Sequence, residues 1–269
     1  MNEAETLERL ETCVTDLRIW MNRNRLKLND SKTEFIIFGT RHFLKHIHTT
    51  SIRVGESSIA ASKEVRNIGA MFDSQMKMNT QVRPICRGAW LNLFNIGKVR
   101  KYLTEDQSKS VVHAYVTSKL DANNGLLAGS PSLLHGQVER VQNAAAKLIT
   151  KSKKYDHVSP IRKKLHWLPI EDRIMFKTLL LTYKALNNKA PVYLKDLFKF
   201  YQSPLALRST SDPLKLDIPK TRLKTYGDRA FSVFAARKWN DIPLEIRQAK
   251  TVDSFKSRLK THLFKEHLK

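Results

Sequence analysis

Lysine is the side chain most of the possible chemistry in this sequence rests on. Lys32 closes the polar run Asn29-Asp30-Ser31, where short polar side chains bond their own backbone and form a turn. By itself it reads as a solvated turn residue. A second group lies further along the chain. Lys147, Lys151, Lys153, Lys154, Lys163, Lys164, Lys177 and Lys184 bracket three predicted helices, and their common chemistry is neutralisation of phosphate. His42, His46 and His48 fall within seven residues, but no Cys or carboxylate accompanies them, so a polar loop is expected there and not a metal site. Cys13 and Cys86 have no CxxC partner, which disfavours zinc knuckles and disulfide scaffolds. No Ser-His-Asp or Cys-His spacing supports nucleophilic catalysis, and no glycine-rich run has the pattern of a phosphate loop. Trp167 and Trp239 could stack on bases. Both lie among Leu, Ile and Pro, so core packing is expected for them, and a structural role for His166.

The charge balance points the same way as the lysines. The chain has 269 residues with 48 Lys+Arg against 25 Asp+Glu, a net +23 that argues for a polyanionic partner, nucleic acid before membrane. A hydrophobic content of 41% is enough for a core, so global disorder is excluded. Residues 1–20 carry about −3, residues 22–144 about +9, residues 145–201 about +9 and residues 202–269 about +8. The stretch 145–201 is the densest, and nucleic acid is expected there first. No apolar run reaches membrane-spanning length, and the acidic N-terminus is not a signal peptide. The expected location is intracellular, cytoplasmic or nuclear, and not secreted.

The elements that must position these residues follow from periodicity. Leu7, Leu10, Val14, Leu17 and Met21 predict a helix over Ala4 to Asn22. Phe35–Phe38, closed by Gly39, reads as a buried strand. Ser51–Val54 and Ile59–Ala60 predict a hairpin about Gly55-Glu56. Val65–Asp73 reads as one buried strand broken by Gly69, a position suited to close approach by another backbone. Met78, Val82, Ile85, Ala89, Leu93, Ile96, Val99 and Leu103 trace one face of a long helix, with Arg100 off that face. Helices are expected over Glu105–Leu120, capped by Thr104, and over Leu133–Thr150. A helix after Pro169 runs to Leu186, apolar on most sides, with Lys177 and Lys184 on its polar face. A short helix from Pro191 through Leu197 follows. Residues 202–228 read as irregular. Ala230–Trp239 is helical, and Thr251 caps a last amphipathic helix, expected to be peripheral. The fold class is α+β, predominantly α-helical.

Asn22–Gly39 resembles the segment that follows the catalytic hairpin in reverse transcriptases of non-LTR retrotransposons, the LINE-type, jockey-like enzymes. Leu26–Lys32, Gln142–Ala146, Leu165–Pro169, Leu207-Arg208-Ser209, Trp239–Pro243 and Phe255–Phe264 occur in the order seen in the C-terminal half of that family. Gln142-Asn143-Ala144-Ala145 and His166-Trp167-Leu168-Pro169 are the distinctive pair. Where relatives carry an Asp-Tyr-Cys-Asn run, this chain reads Asp121-Ala122-Asn123-Asn124, a difference that bears on local packing. Ala145-Ala146-Lys147 stands where relatives have two Ala and an Arg, and keeps the charge.

The resemblance implies that 1–74 is the end of a polymerase palm and 75–130 a thumb-like set of helices. It implies a basic helical region at 131–201 and a C-terminal region at 202–269. It places Lys32 beside the nucleotide, where a cation or acid favours departure of pyrophosphate. The similar stretch Val65–Asp73 closes the palm in those enzymes and helps to hold the primer end. Two-metal chemistry needs carboxylates, and in the family they include an aromatic-x-Asp-Asp hairpin that would lie upstream of Met1. This sequence has no adjacent Asp-Asp pair. The chain is therefore expected to bind RNA or an RNA–DNA hybrid without polymerising alone. No cofactor is expected in it, Mg²⁺ being needed only by an intact enzyme. The alternatives are part of a complete enzyme whose catalytic residues lie upstream, or a basic, non-catalytic structural or interaction protein.

Overall fold

The computed structural model describes residues 3–202 and 212–267. The protein is α+β and predominantly helical. It divides into two compact units, Met1–Pro84 and Ile85–Lys269.

The first unit opens with α1 (Glu3–Arg23), whose first turn carries Glu3 and Glu5 at the positive end of the helix dipole. No residue of α1 is buried. Its glutamates hold it instead. Glu3 accepts from the backbone N–H groups of His48 (3.0 Å) and Thr49, and from the Thr49 hydroxyl. Glu11 accepts from the Arg53 N–H at 2.8 Å. The Thr49 bond foremost pulls the Glu3 carboxyl below its usual range. The expected stripe is thus only partly used: Leu10 and Leu17 stay exposed.

Three strands form one sheet in the order β1 (Phe35–Ile36), β3 (Ser57–Ser62), β2 (Ser51–Val54). The β2–β3 hairpin turns at Gly55 with φ +63°, as expected. β1 lies parallel to β3 and is two residues long, not four. As an edge strand it is paired on one side only, and Phe38 leaves the strand to meet Phe72 edge-on at 6.5 Å. His42 falls in a short helix, α2 (Arg41–Lys45), and His46 caps its end, where a polar loop was expected; Thr40 caps the start by accepting from the Phe43 N–H.

Val65–Asp73 is a hairpin, not one interrupted strand. β4 (Glu64–Asn67) pairs antiparallel with β5 (Ala70–Asp73). Ile68 and Gly69, at φ +46° and +80°, make the two-residue turn whose left-handed conformations match strand twist. Gly69 therefore serves the turn, and the space where a Cβ would stand is open. Asp73 then organises the exit. Its carboxylate accepts from the N–H groups of Gln75, Lys77 and Met78, which steers Met76 and Met78 through positive φ.

α3 (Asn79–Val99) carries the chain into the second unit. Its apolar face buries Val82, Ala89, Leu93 and Ile96 as the spacing requires, with Cys86 buried where Ile85 was expected. A 3-10 turn over Arg100–Tyr102 then changes the phase, so Arg100 is buried and Val99 exposed, the reverse of the expectation. Thr104 and Gln107 form a reciprocal capping box at the start of α4 (Glu105–Val112). A π-helical turn, His113–Thr117, joins α4 to α5 (Ser118–Asp121). Then come α6 (Ser132–Thr150), α7 (Val158–Leu165) and α8 (Ile170–Leu186).

Side chains of α6 fix the corner between α7 and α8. Gln142, fully buried, donates to the Leu168 carbonyl at 2.7 Å. Glu139 pairs with Arg162 and accepts from the Ile170 N–H at 2.8 Å. The two distinctive sequence motifs therefore meet directly. Asp121 and Arg173 form a two-point ion pair, so the departure at Ala122-Asn123 leaves the carboxylate engaged.

The rest of the second unit is α9 (Val192–Lys195), α10 (Lys224–Gly227), α11 (Phe231–Asp241), α12 (Leu244–Arg247) and α13 (Val252–His267). α10 falls in a stretch expected to be irregular. Pro204 and Leu207-Arg208-Ser209 lie outside the described residues. Trp239 is core, as expected, and its indole N–H donates to the Leu214 carbonyl at 2.8 Å. α13 is not peripheral. Phe255, Leu259 and Leu263 are buried in the core, and Phe255 stacks on Tyr183 of α8 at 4.3 Å. Tyr183 in turn donates to the Ala249 carbonyl at 2.6 Å. Phe255→Ala should therefore destabilise the second unit by about 3–5 kcal/mol in a urea titration. A change below about 1 kcal/mol would return α13 to the periphery.

Candidate nucleic-acid interface

The basic segment after α6 is held by its own backbone. Lys151 ends the helix at φ +55°, a left-handed position usually given to glycine. Ser152 N–H returns to the Lys147 carbonyl at 3.0 Å, closing the last turn. Lys147 Nζ donates to the Lys154 carbonyl at 2.5 Å. Asp156 accepts from the Lys153 N–H at 2.7 Å. These bonds fix the path of 147–156 while Lys151, Lys153 and Lys154 remain exposed.

Arg100 joins this segment to the end of α3. It is 8% exposed. Its guanidinium donates to the carbonyls of Leu148 (2.8 Å), Ile149 and Leu103 (2.7 Å). A cation against the last carbonyls of α6 also meets the negative end of that helix dipole. The 98–102 turn and the 151–155 segment consequently leave from the same end of α6. Each brings a lysine beside an exposed ring. Lys98 lies 4.5 Å from the Phe94 ring centre, Lys101 lies 4.8 Å from that of Tyr102, and Lys154 lies 5.7 Å from that of Tyr155. Phe94, Tyr102 and Tyr155 are 64%, 75% and 88% exposed, too much for core residues. Exposed rings interleaved with cations are the elements of a single-strand surface, where bases stack and phosphates are neutralised.

The sequence reading found Lys151, Lys153 and Lys154 but missed Phe94, Lys98, Lys101, Tyr102 and Tyr155. The signal available was aromatic residues one or four positions from a lysine. What ties the 98–102 turn to the end of α6 is Arg100, which periodicity placed off the apolar face.

The other lysines divide. Lys163 is exposed on α7. Lys164 pairs with Glu105 at 2.8 Å, and that bond foremost lowers the Glu105 carboxyl from its usual range. Lys184 is half-buried on α8. Lys177 is exposed on α8 and donates to the Asp121 carbonyl. Lys32 lies exposed in a single 3-10 turn, Asp30–Lys32, in the first unit. Trp167 is half-buried. His166 is exposed at φ +53°, with its ring edge-on to Phe264 at 6.3 Å. His42 and His46 rings lie 4.5 Å apart. Among the described residues no group of three His, Cys, Asp or Glu is placed to hold a metal ion, and no helix is long and apolar enough to cross a membrane.

Arg100→Met should leave three carbonyls without their donor and cost about 2–3 kcal/mol. Amide hydrogen exchange should show lost protection at Lys151 and Ser152. Unchanged protection there would mean that the segment holds its place without Arg100.

Comparison with protein-family models, with curated proteins and with solved structures finds no match for this chain.

Proposed function

We propose that this chain is the nucleic-acid-binding C-terminal part of a LINE-type RNA-directed DNA polymerase, and that it does not polymerise by itself. The observation that carries the binding is the set of exposed lysine–ring pairs on the segments that Arg100 ties together at the end of α6. Its ligand is single-stranded or structured RNA, or an RNA–DNA hybrid, bound with little sequence preference. Stacking on Phe94, Tyr102 and Tyr155 accepts any base, because every base has a π-face. Lys98, Lys101, Lys151, Lys153 and Lys154 supply the phosphate contacts.

The polymerase part of the proposal rests on the family resemblance, and one feature of the first unit supports it. α1, β1 and α2 border an open groove of about 580 Å³ whose walls include Leu7, Leu10, Phe35, Ile37, Phe38 and Phe43. Leu17, Ile19 and Trp20 of α1 are exposed as well. Apolar surface left open on this scale suits a palm that is completed by further polypeptide. Lys32 would then act beside the nucleotide of the completed enzyme. The described residues do not fit the metal pair, so no step of the transfer is assigned to them.

Primer extension with the purified chain and Mg²⁺ or Mn²⁺ should give no product above a no-protein control; product would overturn the proposed inactivity. RNA binding should weaken with salt at a log–log slope of roughly −3 to −4, from four to six phosphate contacts. Replacing Lys151, Lys153 and Lys154 together should flatten it by up to about 2 units. Tyr102→Ala with Tyr155→Ala should instead lower affinity by about 1–3 kcal/mol per lost stack and leave the slope unchanged. Replacing Lys256 and Arg258 on α13 is the control. If the control loses the slope and the 151–154 variant keeps it, the interface lies elsewhere.

A further inference from the structure

A second basic feature of the second unit has a different form. Between the end of α5, the α7–α8 corner, α8 and α13 lies a cleft of about 340 Å³. That is within the range of small-ligand sites. Leu168, Phe176 and Leu180 give it an apolar floor. Arg173, Lys177, Lys260 and His166 stand around that floor, with Asp121 the one carboxylate among the described residues of its walls.

The donors are unevenly engaged. Asp121 takes the Nε and one Nη of Arg173, at 2.9 Å for the first. A guanidinium has five N–H donors, so that grip orients Arg173 and leaves others for a ligand. Lys177 gives one of its three N–H donors to the Asp121 carbonyl. Lys260 lies over the Phe264 face at 5.8 Å, and His166 meets the same ring edge-on, so Phe264 holds both at the rim. Burial foremost pushes the Lys177 amine below its usual range. The Asp121 carboxylate opposes this shift, and the Arg173 guanidinium adds to it. One carboxylate against Arg173, Lys177 and Lys260 leaves the cleft with an excess of two positive charges. A dianion would balance it.

We propose that this cleft binds a phosphate monoester carrying a nucleobase, with the phosphate between Arg173, Lys177 and Lys260 and the base on the apolar floor. The ligand is either a free nucleoside monophosphate or the 5′-phosphorylated end of a nucleic-acid strand. The inference does not rest on the Lys–aromatic surface. It also gives Lys177 a discrete ligand in place of a share in a continuous phosphate track.

Titration of the full chain with AMP, followed by calorimetry, should show saturable binding, and adenosine should show none. Lys177→Met should weaken AMP binding about tenfold. Lys260→Gln, at an exposed position that cannot disturb the core, should weaken it about threefold. The variant lacking Lys151, Lys153 and Lys154 should bind AMP like the parent, which separates this site from the other surface. A strand end as the ligand requires that a 5′-phosphorylated oligonucleotide bind more tightly than its 5′-hydroxyl form, and that Lys260→Gln reduce the difference about threefold. Equal binding of the two, with AMP still bound, assigns the site to the free nucleotide. The proposal fails if neither AMP nor the 5′-phosphate is recognised, or if recognition survives both substitutions.

Discussion

The second unit depends on the grip that α6 has on the corner between α7 and α8. Gln142 and Glu139 lie on one face of α6 and reach the Leu168 carbonyl and the Ile170 N–H. A buried amide and a carboxylate bonded to backbone tolerate little displacement, because each unmade bond leaves a desolvated polar group. That sets where α8 begins and in which direction it runs. α8 then carries Leu179 and Tyr183 into the core with α11 and α13. The Asp121–Arg173 pair fastens the first turns of α8 to the end of α5. The cleft beside that pair and the core beyond it both follow from the same placement.

The high positive charge is arranged in three ways. Some cations serve the fold: Arg100 caps α6 from inside, and Arg247, 7% exposed, donates to the Ile242 carbonyl and to Asp212. Others are paired at the surface, as Lys164 with Glu105 and Lys109 with Glu105 and Asp106. Such exposed pairs contribute little to stability. A third group, Lys98, Lys101, Lys151, Lys153 and Lys154, stands exposed beside rings or in a backbone-fixed segment. Net charge alone does not separate these classes, since a guanidinium counts the same whether it faces solvent or carbonyls.

The first unit is held differently. α1 docks through Glu3, Glu11 and the Arg18–Asp30 pair, at 3.3 Å, rather than through its apolar stripe. Val54, Ile52 and Val65 are buried in the small sheets, but Leu10, Leu17 and Trp20 are not. A helix fixed by polar bonds while several of its apolar residues face outward leaves that surface open.

Much of the secondary structure was legible in the sequence because it depends on local rules. The 3.6-residue periodicity marked α3, α6 and α8, Thr104 marked a cap, and Gly55 marked a hairpin turn. The α+β, mainly helical class followed from those signals. Where local rules were ambiguous, the reading failed. Ile68-Gly69 looked like a glycine inside a strand until pairing of Glu64 with Asp73 made it a turn. The burial of α13 was illegible because an amphipathic helix has the same pattern whether it covers a core or completes one. The candidate surface was half legible: Lys151, Lys153 and Lys154 stand together in sequence, but the turn that carries Lys101 and Tyr102 is tied to the end of α6 by Arg100, about 50 residues away in the chain. The cleft around Lys177 was not legible at all, for its cations come from α8 and α13 and its carboxylate from α5. Sequence periodicity assigns a face to each helix; which faces meet, and which charges they bring together, was decided by packing between segments far apart in the chain.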